Sequence, residues 1–150
     1  MIVYRITSYV SLPGLYHPAS ELYKYGKLVD TFSALFKEIG LIRAIFAWIG
    51  LKFFKYSGIA QDPYIVLEYP HSVMIFKHET VHIAQQRIDG KLKFYCKYAL
   101  EFIENLLRFC SFFKAYYNIS YEVQARELAL VANSSKYVLF LKSAKIEVFA

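Results

Sequence analysis

Cysteine is scarce in this chain: 150 residues include two, Cys96 and Cys110. They stand 14 positions apart in a stretch that reads as one helix. That spacing would separate them by about 21 Å, too far to bridge. Both are expected to be buried free thiols, with no need for an oxidising compartment. Acidic residues are also in the minority, 12 against 18 Lys and Arg, for a formal charge of +6. A lysine-rich solvated surface accounts for such an excess, and so does attraction to an anionic membrane surface or an acidic ligand. No run of five or more basic residues occurs. Without a nucleic-acid-binding signature either, nucleic acid is not an expected partner.

An uninterrupted apolar run of membrane-spanning length is missing too. The most hydrophobic stretch, 28–56, is interrupted by Arg43 and Lys52, whereas a span needs about 20 consecutive apolar residues. The N-terminus has no basic segment followed by an apolar run and a small-residue cleavage site, so no secretory signal is expected. The expected location is cytoplasmic, with or without membrane attachment. No internal repeat and no low-complexity segment interrupts the chain.

What is present is a high apolar content, 57% with a mean hydropathy of +0.29, including 14 Tyr and 13 Phe. This is ample for an ordered core in one domain over 1–150. Residues 1–12 are β-branched and aromatic, suiting a strand or the start of a helix, until Pro13-Gly14 breaks them. Ala19 to Leu28 could form a short helix. From there Leu28, Phe32, Leu35, Ile39, Ile42, Phe46, Ile49 and Phe53 recur in steps of four and three, a helical stripe. Leu41, Ile45 and Trp48 make a second one. A helix apolar on two faces is buried or touches lipid. The segment 28–56 is thus either core or, with Trp48, Phe53 and Phe54 beside Arg43, Lys52 and Lys55, a peripheral membrane contact.

Gln61-Asp62-Pro63 marks a turn, and Tyr64 to Tyr69 a strand that Pro70 stops. Ser72 is a plausible N-cap, and Gly90 a C-terminal stop, for a helix from Val73 to Asp89. A long helix is expected from Leu92 to Lys114, a break at Tyr116 to Asn118, and a last helix from Ser120 to Ala132. The tail pieces 137–141 and 146–149 alternate like short strands, though either could be helical.

The helix from Val73 carries His78-Glu79-Thr80-Val81-His82. At about 100° per residue, the two histidines and Glu79 fall within one 100° arc, with Gln85 on the same face. Two imidazoles one turn apart can share a zinc ion, and the carboxylate beside them can act as a general base. Val81, Ala84 and Ile88 form an apolar back that should face the core. A third protein ligand is needed. Glu101, Glu104, Glu122 and Glu127 are available downstream. Glu122 is best placed, in the first turn of a helix that follows a break and can fold back. Gln85 and Ile88 stand where a metzincin would have Gly and His, which excludes that arrangement.

His78-Glu79-x-x-His82-x-x-Gln85, then Gly90, Phe94 and Tyr98, then Tyr116-x-Asn118-x-x-Tyr121-Glu122-x-x-Ala125, resembles small bacterial and archaeal zincins of the gluzincin type, including the single-domain minigluzincins. The resemblance covers about residues 64–132. It implies a mainly helical α+β fold, with a zincin-like active-site helix, a small sheet and a second ligand-bearing helix. It implies zinc held by His78, His82 and Glu122, with Glu79 as general base. Larger gluzincins often carry an acidic residue four positions after the ligand glutamate, where it orients a histidine. Here that position is Arg126, which leaves the partner of the histidines unassigned.

The expected activity is zinc-dependent hydrolysis of a peptide or protein substrate. The strand at 64–69 could bind an extended peptide if it is a sheet edge. Gln85, Tyr116, Tyr117, Tyr121, His71 and Arg126 are candidates for supporting the ligands or for donating to the oxyanion. The alternative is a latent metal-binding protein that acts as a membrane-surface or partner-binding module through 28–56.

Overall fold

The computed structural model describes residues 1–6, 9–11, 27–52, 57–68, 72–130 and 135–149. It is a mainly helical α+β structure around a small antiparallel sheet. Strands β1 (Ile2–Arg5), β3 (Lys27–Leu28), β4 (Gly58–Gln61) and β5 (Tyr64–Leu67) are ordered β3-β1-β5-β4. The β4–β5 hairpin turns at Asp62-Pro63, pairing Gln61 with Tyr64 and Gly58 with Leu67. A separate parallel pair joins β2 (Tyr9–Ser11) to β6 (Glu147–Phe149).

Successive side chains of a strand point to opposite faces, and here both faces are buried. On one face Ile2, Tyr4, Ile65 and Leu67 pack with Phe76, Val81 and Ala84 of helix α3 (Val73–Asp89) and with Tyr137 and Leu141 of α7 (Ser135–Ser143). On the other, Val3 and Val66 pack with Leu35 and Ile39 of α1 (Phe32–Ile39) and with Ala44, Ala47 and Leu51 of α2 (Leu41–Lys52). The sheet is therefore a middle layer with α3 beneath it and α1–α2 above.

The stretch 28–56 is not one helix. Leu28 lies in β3, Thr31 caps α1 by accepting from the Ala34 amide, and Gly40 ends it at φ 84°. A non-glycine residue rarely adopts that angle. The turn resets the helical phase, so α2 lays its small residues on the sheet. Ile42 and Phe46, which the unbroken stripe would bury, are 72% and 63% exposed. The helix suggested from Ala19 lies outside the described residues, apart from 27–28, which are strand.

Helix α3 has the expected bounds, with Ser72 accepting from the Ile75 amide and Gly90 at φ 80°. Its apolar back is only partly as expected: Val81 and Ala84 are buried, but Ile88 is exposed. Its polar side is buried as well, because α6 (Ser120–Leu130) packs along it. The long helix also ends early. Helix α4 (Lys91–Phe109) stops at Cys110, which takes a left-handed conformation at φ 47°, and Ser111 caps a short α5 (Phe112–Tyr117). Cys96 and Cys110 are both exposed, not buried, since Phe94 is the buried residue of α4 and Cys110 lies beyond its end. Of the tail pieces, 137–141 is helical and Glu147–Phe149 is strand.

Candidate metal centre

Helix α3 supplies His78 and His82, one turn apart, and α6 supplies Glu122 from its first turn. The Nε2 atoms of His78 and His82 are 3.0 Å apart. Glu122 places Oε2 at 3.2 Å from His78 Nε2 and Oε1 at 3.2 Å from His82 Nε2. With zinc–ligand bonds of about 2.0–2.1 Å, the edge of a tetrahedron is about 3.3 Å. The two imidazole nitrogens and the carboxylate, which meets them through its two different oxygens, therefore stand at separations close to that edge, within reach of one metal ion. Glu122 Oε2 is fully buried and makes no hydrogen bond of good geometry, with His78 Nε2 at 3.2 Å and Arg126 Nη1 at 4.0 Å as its near neighbours, so a cation between the imidazoles and this carboxylate would satisfy it. Both observations fit a metal ion. Of the other glutamates considered, Glu104 and Glu127 are exposed. Glu101 caps α6 instead, accepting from the Ser120 amide at 2.6 Å and its hydroxyl at 2.8 Å.

The surrounding residues fix these side chains. His82 Nδ1–H donates to Gln85 Oε1 at 2.7 Å, which leaves the Nε2 lone pair for a metal. The Gln85 amide nitrogen donates to the Tyr121 carbonyl at 3.0 Å and to Gln124 Oε1 at 2.8 Å, tying α3 to α6. Tyr98, on α4, donates its hydroxyl to Glu122 Oε1 at 2.8 Å. Arg126 holds its Nη1 4.0 Å from Glu122 Oε2, donates to the Tyr117 carbonyl and lies 4.5 Å over the Tyr117 ring. Tyr121 points elsewhere: its hydroxyl donates to Asp89 at 2.5 Å and its ring packs on Phe94 at 4.6 Å. His71 lies outside the described residues.

Charge follows from this packing. Burial alone would lower the His82 pKa, but the Glu122 carboxylate outweighs it, with help from Glu79 and Gln85, and raises it to about 9. Burial likewise works to raise the Glu122 pKa, and the two imidazoles outweigh it and hold it well below the carboxylate range. Burial raises that of Glu79, partly offset by His82 and His78.

Above these residues runs a cleft in two parts, with Gly58, Glu79, Tyr116 and Glu122 bordering both. The larger, about 1190 Å³, lies between α2 and α4 with β4 along it; the smaller, about 390 Å³, is bordered by His78, Tyr117 and Arg126. The strand at the cleft is β4, not β5: β5 is interior, between β1 and β4, and β4 is an edge strand among the described residues. A Cβ built on Gly58 would lie 2.9 Å from both Cγ and Oε1 of Glu79 and 2.5 Å from Leu67 Cδ2. Only glycine lets β4 pass so close to the carboxylate.

Of the candidates read from the sequence, His78, His82, Glu122 and Gln85 come together in the structure, whereas Gly58, the Tyr98 bond to Glu122, the capping role of Glu101 and the cleft wall on α2 were not foreseen. A glycine opening a strand beside the motif was the one legible hint. No family model, curated protein or solved structure was found to match this chain.

Proposed function

We propose that this chain is a zinc-dependent metallopeptidase, similar in plan to the minimal gluzincins. The observation that carries the reading is the cluster His78–His82–Glu122, whose donor atoms lie within reach of one metal ion, with the buried Glu79 carboxylate next to it in an open cleft. His78, His82 and Glu122 would hold the ion. Zinc in such a site polarises a carbonyl and lowers the pKa of water toward about 7.

The chain's own groups do the rest. Glu79 accepts the proton of the attacking water and passes it to the leaving amine. Its raised proton affinity suits that exchange. Gln85 holds His82 in the ligating tautomer, and Tyr98 holds Glu122. The β4 edge accepts an extended substrate backbone by strand addition. Of the tyrosines considered as oxyanion donors, Tyr116 is the one bordering both parts of the cleft.

Purified protein should carry about one zinc per chain, lost in Glu122→Ala. Glu79→Gln should abolish peptide cleavage while keeping the metal. Protein that neither contains zinc nor takes it up on dialysis would refute the reading.

The exposed apolar residues of α2, with Arg43 and Lys52 among them, favour a second reading: a latent metal-binding protein docked on a membrane surface. Among the described residues no helix is long and apolar enough to cross a membrane. Sedimentation with anionic vesicles, weakened by salt and unchanged by Glu79→Gln, would support that reading; failure to sediment would remove it.

A further inference from the structure

The large part of the cleft has three features that a metal site alone does not explain. Its walls are apolar and exposed: Leu41, Ile42 and Phe46 of α2 are 52%, 72% and 63% exposed, and Tyr95 of α4 is 47% exposed. A contiguous exposed apolar surface of this kind marks a binding site. The edge of β4 beside it is only partly open. Gln86 donates to the Ala60 carbonyl at 3.0 Å and accepts from the Asp62 amide at 3.0 Å, one donor and one acceptor, as a peptide unit would. At the Gly58 end, next to Glu79, no further backbone hydrogen bond is made among the described residues.

The far end is cationic. Asp62 there is met by Arg87 at 2.8 Å and Lys91 at 3.4 Å, and Arg43 lies 5.6 Å over Tyr64, the cross-strand partner of Gln61. Two cations meet this one anion, and Arg43 lines the same cleft as Asp62 and Lys91. The three residue steps from Gly58 to Gln61 span about 10 Å at roughly 3.3 Å each. An acidic side chain about three residues from the reacting bond would therefore reach this end.

We infer that the large part of the cleft binds an extended polypeptide that pairs with β4 at Gly58, lays bulky apolar side chains between α2 and α4, and places an acidic side chain by Arg43 and Lys91. This rests on the peptidase reading and names its substrate class. Antiparallel pairing, the more stable mode, puts those residues on the N-terminal side of the cleaved bond. A bilayer is the weaker occupant, because its surface cannot enter a concave cleft and its hydrocarbon cannot satisfy strand backbone groups.

The test uses zinc-loaded Glu79→Gln chain and a fluorescein-labelled ten-residue peptide, read by anisotropy. The peptide carries Leu-Phe-Leu before its central bond and Glu before those three. Replacing the three by Ser should weaken binding at least tenfold, since burying one large apolar side chain contributes more than the roughly 1.4 kcal/mol that tenfold represents. Replacing Glu by Lys should weaken it severalfold at low salt, and Arg43→Gln should erase that difference. Ala99→Trp, which fills the cleft wall, should abolish apolar selectivity with zinc content unchanged. Equal affinity for the Leu-Phe-Leu and Ser peptides would overturn the inference, as would binding to phosphatidylglycerol vesicles with no peptide bound. If the apolar peptide binds selectively but the zinc-loaded wild type leaves it uncut, the groove stands and the peptidase reading falls.

Discussion

Replacing Gly58 by alanine adds one methyl group where the structure has no room for it. Its carbon would sit 2.5 Å from Leu67 Cδ2 and 2.9 Å from Cγ and Oε1 of Glu79. Ordinary contact begins near 3.5 Å, so something must move by about 0.6 to 1 Å. Leu67 is fully buried against Phe76 and Ile65 and has little freedom to turn. The Glu79 backbone is held in the middle of α3, so only its side chain can yield. Overpacking of this kind costs about 1–3 kcal/mol. For a chain of this size each kcal/mol moves the melting temperature by about 3 °C, so Gly58→Ala should lower it by about 3–9 °C. The displaced group is the proposed general base, while no metal ligand is touched. Peptide cleavage should therefore fall at least tenfold with zinc content intact. Calorimetry, metal analysis and a cleavage assay on the same preparation separate these effects. A variant that melts within 1 °C of the wild type and cleaves normally would show that β4 does not pass against Glu79 as described.

Gln85→Ala should weaken zinc binding about 10–100-fold, the usual cost of losing a residue that orients a ligating imidazole; competition with a chelator measures it, and unchanged affinity would contradict the assigned role. Tyr98→Phe removes one hydrogen bond to Glu122 and should weaken zinc binding by less than Gln85→Ala, with the fold kept, as circular dichroism and the same titration would check. In metal-free protein, the His82 pKa is raised from 6.5 to about 9, so its contribution to stability is complete below about pH 6.5 and lost as pH rises through 9. That of Glu122 is lowered from 4.5, so its contribution is present above that value and lost as pH falls. Chelated protein should therefore melt highest between about pH 5 and 6.5 and lower at pH 9, and a higher melting point at pH 9 would refute the coupling.

The structure also shows where a linear reading loses its grip. The stripe through Ile42 and Phe46 has a clean helical period, yet it belongs to the cleft and not to the core. Gly40 alone changes the phase, and a single glycine in a periodic stretch does not announce that it will take a positive φ. Glu101 looks like one more solvated carboxylate on α4 until α6 folds back and presents its first amide. Cys96 is apolar enough to be read as core, but a helix covered along only part of its surface leaves it exposed.

By itself the sequence determined what is local. Ser72 and Gly90 bound α3, because capping groups act within one turn of the residues they cap. His78 and His82 share a face because a helix repeats every 3.6 residues. Glu122 was reachable because a break precedes its helix. Only the tertiary structure decided which groups close the site from a distance. The Gln85 bonds to His82 and α6, the Tyr98 bond to Glu122, the approach of Gly58 to Glu79 and the place of β4 at the sheet edge all join separate elements. Their geometry depends on how α3, α4, α6 and the sheet pack together, which no periodicity encodes.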